Sequence, residues 1–456
     1  MLAFAGFAMV AIFMALIMTK RLTPTVALIT IPIIAAFLLG TSAAQIGQMA
    51  LEGVKVLAPT GVMLMFAILY FGVMIDAGLF EPMVRAIVRL VEGDPLKVAL
   101  GTAVLAAAVS LDGDGSTTYM IVVASMLPLY RRLGMNALVL TCVTMLASGV
   151  MNMTPWGGPL ARAASALQLE PNNLFIPMLP SMAAGIAGVI TIAFYLGVKE
   201  RRRLGFVPGS APGSPASLSP AAHQRANDAE REYEDSVALE PDADTASATA
   251  RPRLLPINAA LTLALMAALV MQLLPLPVLF MVGFALALLI NYPKMADQRA
   301  RIVAHSNNVI SVVSIIFAAG VFTGILNGTG MVTAMSDAFV SSIPDSWGPY
   351  MSPIVAVASM PFTFFISNDA FYFGVLPVVA EAGGHFGVAP VEIARASLIG
   401  QPVHILSPLV PSTFLLVGLA GVELGDHQRF TLKWAVAICL LMGIVGLASA
   451  AFSIGA

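Results

Sequence analysis

Charged side chains are scarce in this 456-residue sequence. Asp, Glu, Lys and Arg make up 11% of it, where a soluble globular protein carries about 25%. With 58% hydrophobic residues, an ordinary water-soluble fold is excluded. An excess of basic charge is missing too: 23 Lys and Arg stand against 25 Asp and Glu, which leaves no electrostatic footprint for a nucleic acid. The two cysteines, Cys142 and Cys439, lie inside apolar runs without metal-ligand spacing, and read as packing rather than as a disulfide or nucleophile. No G-x-x-x-x-G-K-[ST] loop occurs, so there is no built-in ATP site, and uphill transport would have to draw on an ion gradient. The histidines (His223, His305, His385, His404, His427) are scattered. They form no nucleophile–base set or His-rich metal centre, which argues against a membrane-embedded hydrolase; no enzyme is expected.

What the chain does have is a succession of apolar runs of about twenty residues, each able to cross a ~30 Å hydrocarbon core. Lys20-Arg21 follow the first run, Leu2 to Thr19, instead of preceding it, so that run reads as a membrane helix and not as a cleaved signal. Basic flanks set the orientation. They place Lys20-Arg21, Arg85 and Arg89, Arg131-Arg132 and Lys199 to Arg203 in the cytoplasm. The stretch Thr41–Ala58 reads as an external connection and Glu81–Arg89 as a surface-lying amphipathic helix. From 205 to 253 the composition turns to Pro, Ser, Ala, Gly and mixed charge, as in a disordered cytoplasmic linker.

The expected architecture is an all-α polytopic membrane protein of two inverted-topology repeats, 1–198 and 254–456, joined by a linker over 199–253. Each repeat has five crossings, one of them Pro-broken, plus a re-entrant helical hairpin: hairpin 95–130 and broken helix 134–168 in the first, hairpin 349–382 and broken helix 389–423 in the second. The repeat also shows in residues. Gly72–Val88 aligns with Gly324–Val340, Gly134 with Gly387, and Thr154-Pro155 with Ser407-Pro408.

Each hairpin carries a polar tip, Leu111-Asp112-Gly113-Asp114-Gly115-Ser116-Thr117 in the first and Ile366-Ser367-Asn368-Asp369 in the second. About forty residues after each comes a Pro-broken segment, Thr154-Pro155-Trp156-Gly157-Gly158-Pro159 or Ser407-Pro408-Leu409-Val410-Pro411. Carboxylates and unwound backbone at membrane depth are tolerated where they line a cavity or pathway, and a matched pair of broken segments marks the substrate site of a secondary transporter. A channel fits less well, because paired hairpins suit alternating access.

Candidate substrate ligands are therefore Gly113, Gly115, Ser116, Thr117, Asn152, Thr154, Pro155, Gly157, Gly158, Arg162, Ser367, Asn368, Gln401, His404, Ser407 and Pro408. Ser116-Thr117 and Gly157-Gly158 open helices whose N–H groups and dipole favour anions. Structural roles stand beside these. Asp114 and Asp369 also suit N-caps, and Arg162 reads equally as a carboxylate clamp or a snorkelling cation. His404 reads as a packed histidine before a proton carrier, and Arg395 with Glu392 as an ion pair at i, i+3.

Several stretches resemble the bacterial citrate–metal:proton symporter family (CitMHS) of the ion transporter superfamily. They are Phe13–Leu22, Leu111–Met120, Leu127–Asn136 and Pro155–Leu167. The resemblance implies uptake of citrate complexed to a divalent cation, with protons, by a homodimer with an elevator-type movement in the cell inner membrane. In sodium-coupled relatives both tips read Ser-Asn-Thr, and the acidic tips here depart from that. A sodium- or proton-coupled di- or tricarboxylate transporter without metal, and an ion/proton antiporter, are the alternatives. Free citrate carries about three negative charges, and burying unpaired charge costs several kcal/mol per ion. Chelation by Mg2+ or Ca2+ leaves a complex near -1. Such hard ions want oxygen ligands, expected here from Asp112, Asp114 and Asp369. No permanent cofactor is expected.

Overall fold

The computed structural model describes residues 2–19, 21–91, 93–113, 115–206, 249–341 and 344–454. Among them there are helices and turns and no strand. The first half runs α1 (Leu2–Met18), α2 (Pro24–Leu38), α3 (Ala43–Asp76), α4 (Glu81–Leu90), α5 (Pro95–Val109), α6 (Gly115–Leu133), α7 (Ala137–Met151), α8 (Gly158–Ala166) and α9 (Pro171–Arg203). The second runs α10 (Leu255–Val270), α11 (Leu276–Asn291), α12 (Met295–Gly328), α13 (Met331–Val340), α14 (Met351–Phe365), α15 (Leu376–His385), α16 (Pro390–Ser397), α17 (Gln401–His404), α18 (Pro411–Ala420) and α19 (Leu424–Ala448). Six of the described helices are long and apolar enough to cross a membrane.

The two halves share an element order. α3 and α12 are each 34 residues long and each leads, through a glycine at positive φ (Gly78 at 86°, Gly330 at 74°), into a ten-residue helix, α4 or α13. After α6 and α15 come Gly134 and Gly387, again at positive φ, 67° and 78°. The residues that align in sequence thus occupy equivalent left-handed turns, a conformation glycine adopts without a Cβ penalty. α3 and α12 pack on each other closely enough that a Cβ on Gly53 would lie 2.0 Å from the Gly320 carbonyl oxygen. Between helices in lipid, such backbone proximity is the source of van der Waals attraction.

The start of α3 departs from expectation. Thr41–Ala58 is not a loop beyond Ser42: α3 starts at Ala43, with a Ser42/Gln45 capping box. Ile46, Gly53, Leu57, Thr60 and Leu64 are buried at helical spacing, while Gln45, Gln48, Glu52 and Lys55 are exposed. An amphipathic stripe of this kind has no apolar run to give it away, so a hydropathy reading passes over it. α4 matches the expected amphipathic helix, with Arg85 donating to Glu81.

α9 continues to Arg203, past the position where the linker was expected to begin. Its end is fastened there. Buried Glu200 accepts from the Asn136 N–H and from Arg203, and Arg201 pairs with Asp94, the N-cap of α5. The body of the linker, 207–248, lies outside the described residues.

Candidate functional site

At the first tip, α5 tightens into a single 3-10 turn, Ser110–Asp112, and Gly113 follows at φ 77°. Asp112 is 7% exposed. Asp114 lies outside the described residues. Ser116 and Thr117 are half-buried in the first turn of α6. The tip is held from the first broken helix: the Trp156 indole Nε1 donates to the Leu111 carbonyl at 2.7 Å, and its ring covers Gly113. Gly115 faces Ser412 of α18, in the other half of the chain.

The first break spans Asn152 to Gly157, between α7 and α8. Asn152 closes α7 through its backbone, and Thr154, Pro155, Trp156 and Gly157 are buried. A Cβ on Gly157 would lie 2.1 Å from the Asn152 carbonyl oxygen, so the sharp return of the chain requires a glycine there. The N-cap of α8 is Gly157, which has no side chain to cap it, so among the described residues its first turn is open to an outside acceptor. Arg162, one turn in, folds back over Gly158, and its Nε donates to Asp369 Oδ1 at 2.6 Å. Among the described residues the rest of the guanidinium has no hydrogen-bond partner.

At the second tip, Ser367 Oγ accepts from the Ala370 N–H, so Ser367 supplies the cap that Asp369 was a candidate for. Asp369, 9% exposed, instead accepts from Arg162 across 207 residues of sequence. A π-helical turn, Ala370–Val375, follows; such turns cluster at functional sites. The second break holds this hairpin much as the first break holds the other. Ser407 Oγ donates to the Phe364 carbonyl (2.6 Å), and His404 Nδ1 lies 2.6 Å from the Thr363 carbonyl. A carbonyl only accepts, so this contact requires a hydrogen on His404 Nδ1. Gln401 Nε2 donates to the Tyr372 hydroxyl at 2.8 Å and to Asn368 at 3.4 Å, while Gln401 Oε1 is buried without a partner among the described residues. Pro408 is exposed.

Both tips and both breaks are therefore tied together. Sequence had no means of supplying Tyr372, an aromatic in an apolar limb, or the carbonyls of Thr363 and Phe364. Trp156, between Pro155 and two glycines, was the one visible cue. Two expected partners, Glu392 and Arg395, do not pair with each other. Arg395 donates to the carbonyls of Asn173 and Ala451, while Glu392 accepts from Ser453. The Asn173 carbonyl is free because Pro177, four residues on in α9, has no N–H to give it, and Ala451 lies past the end of α19.

Chemically, the site sets one guanidinium and an uncapped helix N-terminus against buried carboxylates. Among the described residues no group of three or more His, Cys, Asp or Glu gathers. Beside the first tip lies a cleft of about 630 Å3, lined by Leu111, Trp156, Leu179, Met182 and Met266, with Thr154 as its polar residue. Its apolar walls suit hydrocarbon and not an anion.

The citrate transporter family model matches residues 8–400. The chain belongs to that family. It is 55% identical over 447 residues to a citrate transporter of Bacillus subtilis (strain 168), covering 98% of each chain. It is 49% identical over 454 residues to that organism's Mg(2+)/citrate complex secondary transporter, covering 100% of each. Among solved structures, the YdaH transporter of Alcanivorax borkumensis matches with a TM-score of 0.51 at 15% identity, over 89% of each chain, a likeness of fold alone. The family member described here is a multi-pass membrane transporter and not an enzyme.

Proposed function

We propose that this transporter carries citrate, complexed with a divalent ion of the Mg2+ or Ca2+ class, into the cell together with protons. The observation that carries the proposal is the tie between the two halves at their polar interruptions, with Arg162 and the uncapped start of α8 turned toward the second tip. A citrate–metal complex near -1 needs one cation and an oriented dipole, and Arg162 with the Gly158 N–H at the start of α8 supplies them. The metal's remaining ligands would come from Asp112 and Asp114, with Asn152, Thr154, Gln401 and Ser407 lining the approach. A relative named for the Mg(2+)/citrate complex supports the choice of substrate.

The repeated element order supports two inverted halves around this locus, and with them an elevator-type movement in a homodimer of the inner membrane. Protons, and not ATP, would drive accumulation, since the sequence holds no nucleotide loop. The test is uptake of labelled citrate into proteoliposomes with each divalent cation in turn. Uptake that requires the metal, and entry of labelled metal alongside citrate, are expected; undiminished uptake in excess chelator would overturn the metal complex as substrate.

A further inference from the structure

Resting on that proposed function, we infer that Asp369 is the resident counter-ion of Arg162. In the empty transporter it occupies the place on the guanidinium that a carboxylate of the substrate takes in the loaded one. Three observations lead there. The pair is short, 2.6 Å from Nε to Oδ1, and joins side chains that are only 23% and 12% exposed. Asp369 is not held there by a capping duty, because Ser367 performs it. Nor does it belong to a group of three or more His, Cys, Asp or Glu that could hold a metal ion among the described residues.

Chemistry supplies the rest. An aspartate carboxylate and a citrate carboxylate are the same planar anion, and a guanidinium recognises both with the same fork of donors. Here the fork is only partly used. Nε is engaged by Asp369, and the terminal nitrogens have no hydrogen-bond partner among the described residues. A half-buried arginine without an anion is costly, so a carrier whose site must return unloaded needs a substitute anion. Asp369 reaches Arg162 from the opposite half of the chain, so the substitution also links the two halves when no substrate does. Binding then becomes a competition: the substrate must displace Asp369 before Arg162 can receive it. The measured affinity is lowered by the fraction of molecules in which the pair is closed.

This separates Asp369 from a metal ligand by the sign of one effect. The experiment is calorimetric titration of the purified full-length transporter with citrate in excess Mg2+. Asp369→Asn removes the competing charge, and its dissociation constant should fall by about threefold or more. Arg162→Gln should weaken binding by about tenfold or more, through loss of a charge-assisted pair. If Asp369→Asn is not monodisperse, Asp369→Ser carries the same expectation. Weaker or unchanged binding by the neutral variant, with wild type binding normally, would overturn the counter-ion role, as would undiminished binding by Arg162→Gln. Absence of Mg2+-dependent citrate binding by wild type would overturn the proposed function, and the counter-ion role with it.

Discussion

Gly149 and Pro402 bring the two broken helices into backbone contact: a Cβ on Gly149 would lie 2.8 Å from the Pro402 Cα. Gly149 sits one turn before the first break and Pro402 just before the second. The contact fixes the two breaks relative to each other, and with them the tips that each break holds. Neither partner can retreat, since one is main chain and the other a ring. Gly149→Val should therefore overpack the crossing at about 1–3 kcal/mol. Its thermal midpoint in detergent should fall and its citrate uptake with it, while Gly418→Val, at a glycine with open space around it, changes the midpoint far less.

Trp156 is the second fastening. Its indole N–H satisfies the Leu111 carbonyl that the 3-10 turn leaves over. Trp156→Phe keeps most of the ring contact with Phe71 and Phe280 but strands that carbonyl, at about 1–3 kcal/mol. The expected result is a lower thermal midpoint and weaker citrate affinity, read by melting and by the concentration dependence of uptake. Unchanged values for both would mean that the hydrogen bond does not fix the tip.

How much of this was legible beforehand depends on how local each feature is. The hairpin tips and the Pro-broken segments announce themselves as polar or Gly-Pro interruptions of apolar runs, and their neighbours Gly134 and Gly387 as a repeated turn. The start of α3 did not, because its apolar residues form a stripe and not a run. Arg162 and Asp369 were each visible as candidates, yet their pairing joins positions 207 apart that only the tertiary fold brings together. The same is true of Tyr372 with Gln401 and of Gly149 with Pro402. Composition and spacing report which residues are out of place in a membrane; they do not report which of them meet.

Asp94 gives a prediction about acid. Burial raises its pKa, but the Arg201 guanidinium, bonded to it at 2.9 Å and 2.5 Å, together with the Leu96 N–H, outweighs burial and holds the carboxyl below its ordinary value of 3.8. A carboxylate with a depressed folded-state pKa contributes stability that is fully present above its unfolded value. That contribution is lost as pH falls through the folded one. The thermal midpoint should therefore decline below about pH 4, and Asp94→Asn should lower it at neutral pH while flattening the acid decline. A variant whose decline parallels wild type would place the acid sensitivity elsewhere.

Proton coupling makes its own prediction. If an inward proton gradient drives accumulation, a protonophore should abolish the build-up of citrate in proteoliposomes while leaving exchange of internal for external citrate in place, since exchange needs no net driving force. Accumulation that follows a sodium gradient at constant pH would favour a sodium-coupled carboxylate carrier instead.

The acids of the first tip are the last to test. Asp112 is buried at the end of a 3-10 turn, immediately before the left-handed Gly113, and Asp114 follows in sequence. A metal ligand needs the negative charge; a turn or cap residue needs only an acceptor of the right size. Asn is nearly isosteric with Asp and caps helices as well, so Asp112→Asn and Asp114→Asn preserve the structural duty and remove the charge. Both variants should remain folded and monodisperse, and uptake of metal–citrate should fall by about tenfold or more, the scale of losing one charge-assisted ligand. Alanine would not discriminate, because it removes both functions at once. Near-normal uptake by the two asparagine variants would return these residues to shaping the turn, and would leave the metal to citrate's own carboxylates and to backbone carbonyls.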